Sequence, residues 1–388
     1  MRTIAVVTGS RADFGIYLPI LRAIEDCPDL KLRLMVCGTH LAHEFGHTVD
    51  VITAEGFVVD DRIETLMASD TPEGIAKSMG MGVIGFSQAF GRQLPDLLLL
   101  LGDRTEMLAA AVAALPFAVP TAHIHGGEAT QGLIDEAIRH SLTKMSHLHF
   151  VATETYGRRV VQMGESPDRV YVFGAPGLDN INTIQFLGIP ELQGLLGMDL
   201  SVPPVLCTFH PVTLDHENSL LQMKELLAAL ETVSAPVIMT YPNGDTNSRV
   251  LIQAIEDFVQ NRPDCVAVRN LGLRAYFSLM RHAAAMVGNS SSGIIEAASF
   301  HLPVINIGAR QRGRVHGVNV IDVETDRQSI AAGLARVLHP DFKSTIATMT
   351  NPYGDGKAAE RIVEVLRTHP LERTLLEKKF YDMPDGMG

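Results

Sequence analysis

The sequence from 97 to 144 decides the fold: it begins with LLLLLGDRTE (97–106) and ends with TAHIHGGEATQGLIDEAIRHSLTK (121–144). It contains two apolar runs, and each stops abruptly at glycine and charged or imidazole residues. The first stops at Gly102-Asp103-Arg104 and the second at His123-Ile124-His125-Gly126-Gly127-Glu128. Such runs are typical of buried parallel strands. Ligands of open α/β sheets bind at the carboxyl ends of the strands. We therefore predict a ligand site at this edge.

Strand and helix patterns alternate on both sides of this stretch. Short apolar runs end in glycine, proline or charged residues, and segments with helical spacing of apolar residues follow them, as in βαβ units. Besides the two runs above, the predicted strands are Thr3–Thr8, Leu32–Cys37, Phe57–Val59, Leu148–Ala152, Val170–Phe173, Val205–Phe209, Pro236–Thr240, Cys265–Val268, Ala285–Val287 and Val304–Ile307. This order indicates parallel sheets with right-handed crossovers.

The alternation is interrupted near Gly174-Ala175-Pro176-Gly177 and resumes at about Pro204. A connector rich in glycine and proline is a natural domain boundary. We therefore predict an α/β protein made of two Rossmann-like parallel-sheet domains that face a cleft. The first domain is residues 1–175 and carries the acids, and the second is residues 176–365.

Composition narrows the class of protein. The chain has 388 residues and a formal net charge of −12, which argues against nucleic acid as a partner because such binding needs clustered Lys and Arg. The four cysteines are widely spaced and are expected to be reduced thiols. No secretory signal pattern and no apolar stretch of about 20 residues is evident, so no membrane span is expected. We predict a soluble cytoplasmic protein.

The motif GNSSSG (288–293) is the strongest phosphate signal. It follows a predicted strand and precedes a predicted helix, where backbone N–H groups and serine hydroxyls can bind a phosphate. ARQRGR (309–314) follows the next strand and adds three arginines. Glu296 lies about one turn into the helix, at a position suited to a ribose hydroxyl. The alternatives are a serine-rich helix cap without a ligand and a solvated acid.

Acids and histidines near the two strand ends are candidates for proton transfer, since positioned carboxylates and imidazoles act as general acids and bases. They are Asp103, His125, Glu128, Asp135, Glu136 and His140. The alternative for Asp135 with Arg139, and for Glu136 with His140, is a simple i, i+4 ion pair on one helix face. A metal site at His123, His125 and Glu128 is a further alternative, but it lacks a clear additional ligand.

Two common nucleotide motifs are absent from the sequence. The turn GSRAD (9–13) follows the first strand but does not match GxGxxG, and no GxxxxGK[ST] occurs. A dinucleotide cofactor and an ATP-hydrolysing P-loop are therefore not expected. Arg11 in that turn is either an anion contact or a surface residue. His210 and Asn243, each at a strand end in the second half, are nucleotide contacts or structural polar residues.

Several of these motifs together resemble one family. VTGSRADFG, GDRTE, HIHGGE, IDEAIRHSLTKMSHLHF, GNSSSGIIE and INIGARQRGR, in this order, are similar to the hydrolysing UDP-N-acetylglucosamine 2-epimerases of bacterial sialic acid and legionaminic acid synthesis. The epimerase half of the animal bifunctional enzyme is similar too. The ending KKFYDMP (378–384) resembles the tails of the bacterial members, so the resemblance spans nearly the whole chain.

The resemblance implies a fold and a reaction. The fold is of the GT-B type, with the last helix, at about 366–388, joining the first domain. In the reaction a base removes the C2 proton while UDP leaves C1, which gives a 2-acetamidoglycal. Water then adds and releases free N-acetylmannosamine, so the enzyme is a hydrolase. No cofactor and no metal are required.

The resemblance also implies roles for individual residues. Asp103 and Asp135 match the catalytic acids of the family. The animal-type motif HIEGGE has a glutamate where this chain has His125, so its role falls on His125, on Glu128 or on both. The implied UDP and substrate contacts are Arg11, Asp13, Arg139, His210, Asn243, Ser290, Ser291, Glu296 and Arg310.

Three alternatives stay open at this point. The same chemistry on UDP-N,N'-diacetylbacillosamine would serve legionaminic acid synthesis, and the sequence does not separate the two sugars. A GT-B glycosyltransferase would share the phosphate site, and a catalytically silent sensor of nucleotide sugars would share the binding residues. A homodimer or homotetramer is expected from the resemblance alone.

Overall fold

A computed structural model describes residues 1–67, 69, 71–130, 134–211, 218–242, 248–269 and 271–383. The strands are β1 Arg2–Thr8, β2 Leu30–Cys37, β3 Asp61–Ile63, β4 Leu97–Leu101, β5 Thr121–Ile124, β6 Leu148–Val151, β7 Val170–Val172, β8 Val205–Thr208, β9 Val237–Thr240, β10 Cys265–Val268, β11 Ala285–Gly288, β12 Val304–Ile307 and β13 Val320–Val323.

The helices connect these strands. They are α1 Arg11–Glu25, α2 Val49–Ala54, α3 Pro72–Arg92, α4 Thr105–Ala114, α5 Ile134–Met145, α6 Glu154–Gln162, α7 Asp179–Thr183, α8 Ile189–Leu196, α9 Ser219–Leu230, α10 Ser248–Gln260, α11 Gly272–His282, α12 Ser291–Ile295, α13 Arg327–Val337, α14 Pro340–Ile346, α15 Ala358–Thr368 and α16 Arg373–Leu376. Within the part of the chain that the structure describes, no helix combines the length and apolar character needed to cross a membrane.

The first sheet has seven strands in the order β3-β2-β1-β4-β5-β6-β7, and every pair is parallel. The strand order reverses between β1 and β4. In doubly wound sheets ligands bind at this reversal, because the crossovers on either side diverge and leave a crevice at the strand ends. Asp13 lies in the first turn of α1, which follows β1, and the turn after β4 contains Asp103, so the topology places both predicted residues there.

The second sheet has six parallel strands in the order β10-β9-β8-β11-β12-β13. Its reversal lies between β8 and β11. The turn after β8 carries His210, and the motif GNSSSG (288–293) runs from the last residue of β11 into the first turn of α12. The two sheets thus have the same winding, and the predicted α/β class with two parallel-sheet domains is confirmed.

The domain limits differ from the predicted ones. The first compact unit comprises Met1–Glu128, Ile134–Asn180 and the chain from Tyr353 onward, and Ile181–Pro352 lies in the second. The predicted limits were residue 175 and about residue 366. Hydrogen bonds explain why the first unit extends beyond residue 175 and includes α15. The Asp179 carboxylate accepts the backbone N–H groups of Ala358 (3.0 Å) and Ala359 (2.6 Å), which begin α15. Residue 179 and α15 therefore belong to the same unit.

Packing also holds α15 in the first unit. Its residues Ile362 and Leu366 are fully buried in the core that α1 and the sheet share. The Tyr353 hydroxyl lies 2.9 Å from that of Tyr156 on α6. The burial of such aliphatic side chains contributes about 1.5–3 kcal/mol each, which is ample to fix the returning chain.

One predicted strand is wrong. The apolar residues of Phe57–Val59 suggested β3, but the strand is Asp61–Ile63. Phe57 instead packs edge-on against Phe14, with the ring centroids 5.9 Å apart. Asp61 is buried in the strand because Arg33 Nε and Arg92 Nη2 donate to its carboxylate, each at 2.9 Å. Ion pairs with two arginines thus allow a charged residue to be buried in β3, where an apolar residue was expected. The strand β13 was not predicted either.

Candidate active site

Asp103 follows β4 and is held by a buried arginine. Gly102 has φ +71° and turns the chain out of the strand. The Asp103 carboxylate accepts a hydrogen bond from Arg139 Nη2 on α5. Arg139 is 1% exposed, and its Nη1 donates to Glu136 Oε2 (2.8 Å) and to the Glu128 backbone oxygen (3.0 Å). A buried guanidinium needs such partners, so Arg139 joins the carboxyl ends of β4 and β5 to α5.

His123, at the third position of β5, fixes the same turn from the interior of the sheet. Its Nε2 lies 2.7 Å from the Gly102 carbonyl oxygen, and its Nδ1 lies 3.2 Å from Thr143 Oγ1. Burial lowers the pKa of His123 to about 3, so the ring is neutral. Since a carbonyl can only accept, Nε2 carries the hydrogen and donates it to Gly102, while the Thr143 hydroxyl donates its own hydrogen to the Arg139 carbonyl at 3.1 Å. No cluster of three or more His, Cys, Asp or Glu side chains suited to a metal occurs among the described residues.

His125 and Glu128 form a buried pair just beyond β5. His125 Nδ1 lies 2.6 Å from Glu128 Oε1, and both side chains are almost completely buried. His125 has φ +63°, a left-handed backbone conformation that is uncommon for residues other than glycine. A carboxylate accepts the Nδ1 hydrogen and so fixes the tautomer in which Nε2 has a lone pair. The pair therefore has the arrangement of an oriented general base.

Asp135 and Glu136 begin α5 beside Asp103. Burial, and then the charge of Asp103, raise the pKa of Asp135, which favours its protonated form as a proton donor. Glu136 accepts from Arg139 and also lies 3.3 Å from His140 Nε2. The i, i+4 contact between Glu136 and His140 that the alternative predicts is thus present. Arg139 pairs with Asp103 and Glu136 in this arrangement.

A second acidic group lies at the reversal of the first sheet. Ser10 caps α1 by accepting the Asp13 N–H at 3.3 Å, and Asp13 is 8% exposed. Burial raises the pKa of Asp13 to about 6, although Arg104 opposes this shift. Arg104 Nη2 donates to buried Glu106 at 3.3 Å. The sequence prediction did not include Arg104 or Glu106, although both lie in the motif GDRTE. The predicted residue Arg11 is exposed at the start of α1.

In the second domain, Asn289 organises the strand ends. Its side-chain oxygen accepts the His210 N–H (2.7 Å), and its side-chain nitrogen donates to the His210 carbonyl (2.8 Å). Its own carbonyl accepts from Arg310 Nη1 (3.0 Å) and from Gln311 Nε2 (2.8 Å). Burial, and then Arg310, lower the pKa of His210 to about 3. One residue of GNSSSG thus joins the chain after β8, β11 and β12, a role that only the tertiary structure reveals.

The serines of GNSSSG begin α12. Ser290 accepts the Ser292 N–H at 3.3 Å and is the helix cap, and Ser291 is the first helical residue. The sequence prediction did not include Tyr276 on α11, whose hydroxyl bonds to Thr208, Ser290 and Ser292. Burial raises the pKa of Tyr276 to about 12, and the nearby charge of Glu296 also raises it, although these hydrogen bonds lower it. Asn243 lies outside the described residues. The predicted residues Ser290, Ser291, Glu296 and Arg310 thus surround one end of the second sheet.

Gly288 permits the close approach of β11 and β8 at this end. Its φ is +136°, and a Cβ there would overlap the carbonyl of Thr208, to which Asn289 N donates at 3.0 Å. We expect Gly288→Ala to lower the free energy of unfolding by about 3 kcal/mol. Chemical denaturation followed by circular dichroism measures this. Gly194→Ala, on the open side of α8 with no atom near its Cβ, is the control and should stabilise by about 0.4–1 kcal/mol. Equal effects of the two substitutions would contradict this account.

Solved structures share this fold. The UDP-GlcNAc 2-epimerase of Neisseria meningitidis bound to UDP-GlcNAc is similar with a TM-score of 0.81 and 20% identity, over 94% of this chain and 99% of that one. A putative UDP-N-acetylglucosamine 2-epimerase from Listeria monocytogenes is similar with a TM-score of 0.81 and 18% identity, over 95% and 96% of the two chains. The fold and the two strand-end sites define a two-domain α/β protein of the GT-B type, as predicted.

Sequence comparison identifies the family. The UDP-N-acetylglucosamine 2-epimerase family model matches residues 22–367, and the chain belongs to this family. The UDP-N,N'-diacetylbacillosamine 2-epimerase (hydrolyzing) of Legionella pneumophila is 37% identical over 97% of this chain and 99% of its own length. A GDP/UDP-N,N'-diacetylbacillosamine 2-epimerase (hydrolyzing) of Campylobacter jejuni is 37% identical over 98% and 99%. The predicted family is confirmed, and with it the coarser expectation of a UDP-sugar 2-epimerase.

Proposed function

We propose that this protein is a hydrolysing 2-epimerase that converts a UDP-linked 2-acetamido sugar into the free 2-epimer and UDP. The observation that carries the proposal is the buried pair of His125 Nδ1 and Glu128 Oε1, 2.6 Å apart at the strand end next to Asp103. An imidazole whose orientation is fixed by a carboxylate at Nδ1 is suited to removing a proton from carbon through Nε2. Membership of the epimerase family and the two relatives named as hydrolysing support it.

The proposed reaction has two steps, an elimination of UDP and a hydration of the resulting double bond. In the first, His125 Nε2 takes the C2 proton, the C–H electron pair forms the C1–C2 double bond, and the C1–O bond breaks so that UDP leaves with its electron pair. In the second, the water oxygen bonds to C1 of the 2-acetamidoglycal and one water proton passes to a base, while an acid delivers a proton to C2 on the face opposite to the first abstraction. We assign the proton transfers of the second step to Asp135 and Asp103, because the pKa of Asp135 is raised and Arg139 holds Asp103 in place.

UDP binding is proposed for the second domain. Ser290, Ser291 and Arg310 would hold the phosphates, whose negative charge grows as the C1–O bond breaks. Glu296 would accept from the ribose hydroxyls, and His210 lies at the same sheet edge. Arg11, Asp13 and Asn243 remain predicted nucleotide contacts, with Arg139 beside the sugar. A homodimer or homotetramer in the cytoplasm completes the proposal and rests on the family alone.

Two sugars compete as substrate. We propose UDP-N,N'-diacetylbacillosamine first, because two relatives that are 37% identical are named for this sugar, one of them for its GDP-linked form as well. The second candidate is UDP-N-acetylglucosamine, which the name of a Neisseria meningitidis relative at 32% identity specifies. The two sugars differ at C4 and C6, so contacts to those positions would decide between them.

Incubation of each nucleotide sugar with the protein in heavy water, followed by NMR, tests the proposal. We expect release of a free sugar with the manno configuration, deuterium at its C2, and one equivalent of UDP. The sugar with the higher kcat/KM is the substrate. A product that is still linked to UDP would show a non-hydrolysing epimerase. Retention of the C2 proton together with dependence on an acceptor would show a glycosyltransferase, and binding without turnover of either sugar would indicate a sensor.

A further inference from the structure

Glu165, between α6 and β7, is the centre of a buried charge cluster away from the strand ends. Its side chain is 1% exposed and is surrounded by three donors: Lys144 Nζ at 2.6 Å, Lys378 Nζ at 2.7 Å and His149 Nε2 at 2.9 Å. Burial alone would raise the pKa of Glu165, but these partners lower it to about 2. The carboxylate is therefore charged at neutral pH, and Lys378 brings the C-terminal chain to it.

Lys378 also caps the catalytic helix. Its ammonium group donates to the backbone carbonyls of Lys144 (2.6 Å) and Ser146 (2.6 Å) and lies 3.4 Å from that of Thr143. The carbonyls of Thr143 and Lys144 are in the last turn of α5 and that of Ser146 directly follows it. Such carbonyls receive few or no hydrogen bonds from the helix itself, and a cation is favoured beside them. The first turn of the same helix carries Asp135 and Glu136. One lysine near the C-terminus thus fixes the far end of the helix that positions them.

Polar contacts connect this cap to Asp103. The Thr143 hydroxyl lies 3.1 Å from the Arg139 carbonyl, one turn earlier in α5, and 3.2 Å from His123 Nδ1. His123 Nε2 donates to the Gly102 carbonyl, which directly precedes Asp103. The path from the tail to the acid therefore runs through Lys378, Thr143, His123 and Gly102, and every member after Lys378 is buried or at the strand end.

The surrounding tail holds Lys378 in place. Tyr381 N donates to the Gly164 carbonyl at 2.9 Å, and the Phe380 ring packs over Gly164 with Lys144 Nζ 4.9 Å from the ring centroid. Arg169 donates to the carbonyls of Thr374 and Leu375, both at 3.0 Å. Among these contacts, only that between Phe380 and Lys144 involves α5. Docking of the tail and capping of the helix can therefore be separated by mutation.

We propose that Lys378 is a positioning residue for the reaction: by capping α5 and pairing with Glu165 it sets the axial position of α5, and with it the geometry of Arg139 and Asp103. This inference rests on the proposed function. A shift of about 1 Å in a reacting group costs on the order of 100-fold in rate. The loss of the cap is therefore expected to appear in kcat, whereas the residues proposed to bind UDP are unaffected.

The test compares four full-length variants: Lys378→Met, Lys378→Arg, Lys379→Met and Arg169→Met. We expect Lys378→Met to lower kcat roughly 10- to 100-fold, with KM and the Kd of UDP within about twofold of the unmodified protein. Hydrogen exchange of the α5 amides should accelerate in this variant. Lys378→Arg should recover most of the turnover, because a guanidinium also donates to several carbonyls. Exposed Lys379 is the matched control, and Arg169→Met weakens tail docking alone.

Several results would overturn the proposal. One is full turnover by Lys378→Met. Another is an equal loss of kcat in Arg169→Met, which would mean that tail docking in general is responsible. A third is unchanged exchange of α5 in Lys378→Met. If the unmodified protein turns over neither nucleotide sugar, the proposed function fails; the exchange measurement then decides by itself whether Lys378 fixes α5.

Discussion

Asp103→Asn is expected to reduce turnover of the nucleotide sugar by about 10²- to 10⁴-fold, the range for loss of a positioned acid or base. Asparagine keeps the shape of the side chain and one oxygen that can accept from Arg139, but it neither carries charge nor exchanges a proton. Arg139 keeps Glu136 as a charged partner, so it is not left as an isolated buried cation. The fold should therefore survive, and the loss should be catalytic.

The affinity for UDP separates the catalytic role of Asp103 from a binding role. We expect the Kd of UDP, measured by titration calorimetry, to change less than about threefold, or under about 0.7 kcal/mol. Initial rates of UDP release give kcat and KM. Asp96→Asn is the matched control: Asp96 precedes β4 at the opposite edge of the sheet, where its carboxylate accepts the Thr3 N–H at 2.7 Å. An equal loss of UDP binding and turnover in Asp103→Asn would refute the assigned role.

His125→Asn should likewise lower kcat by about 10²- to 10⁴-fold. Asparagine tolerates a positive φ better than most residues, so the backbone at φ +63° is retained while the imidazole is removed. Glu128→Gln should have a smaller effect, roughly 10- to 100-fold, because the amide oxygen still accepts the Nδ1 hydrogen but no longer stabilises the imidazolium that forms. Rates of deuterium exchange at C2 measure the step directly.

The double variant His125→Asn/Glu128→Gln decides whether Glu128 acts through His125. If it does, the double variant should be no slower than His125→Asn alone, because residues that act as a unit are not additive. Multiplied losses would show that Glu128 has an independent catalytic role and would contradict the assignment of His125 as the base. Thermal unfolding of all three variants serves as the control for the fold.

The fold was largely predictable because parallel strands buried on both faces have a strong signature. The bounds of β4 follow from five leucines between Asp96 and Gly102, since no polar residue blurs either end. β3 escaped prediction because its buried carboxylate, Asp61, is stabilised by arginines that are 28 and 31 residues away in the sequence. A local sequence pattern contains no information on such a pairing. The return of the chain to the first unit at Tyr353, earlier than predicted, likewise depends on contacts between residues far apart in the sequence.

The position of the candidate site residues at strand ends could be predicted from the sequence. Asp103 and His125 follow apolar runs of the first sheet, and Ser290 follows an apolar run of the second. The edge of the sheet at which each of these residues lies could therefore be inferred. The roles of Asn289 and Lys378 could not be inferred, because each depends on bonds to backbone groups far away in the chain, which any residue type supplies. Their identities carry no local signal, and only the packed structure reveals what they contact.

Asn289 has a thermodynamic consequence for the proposed binding of UDP. Because its side chain and carbonyl already fix the backbone of His210 and the side chains of Arg310 and Gln311, these groups lose little conformational freedom when a ligand arrives. Each immobilised side chain otherwise costs about 0.5–1.5 kcal/mol of binding free energy. The ordering entropy is thus paid during folding, and a polar ligand at this edge can bind tightly through few contacts.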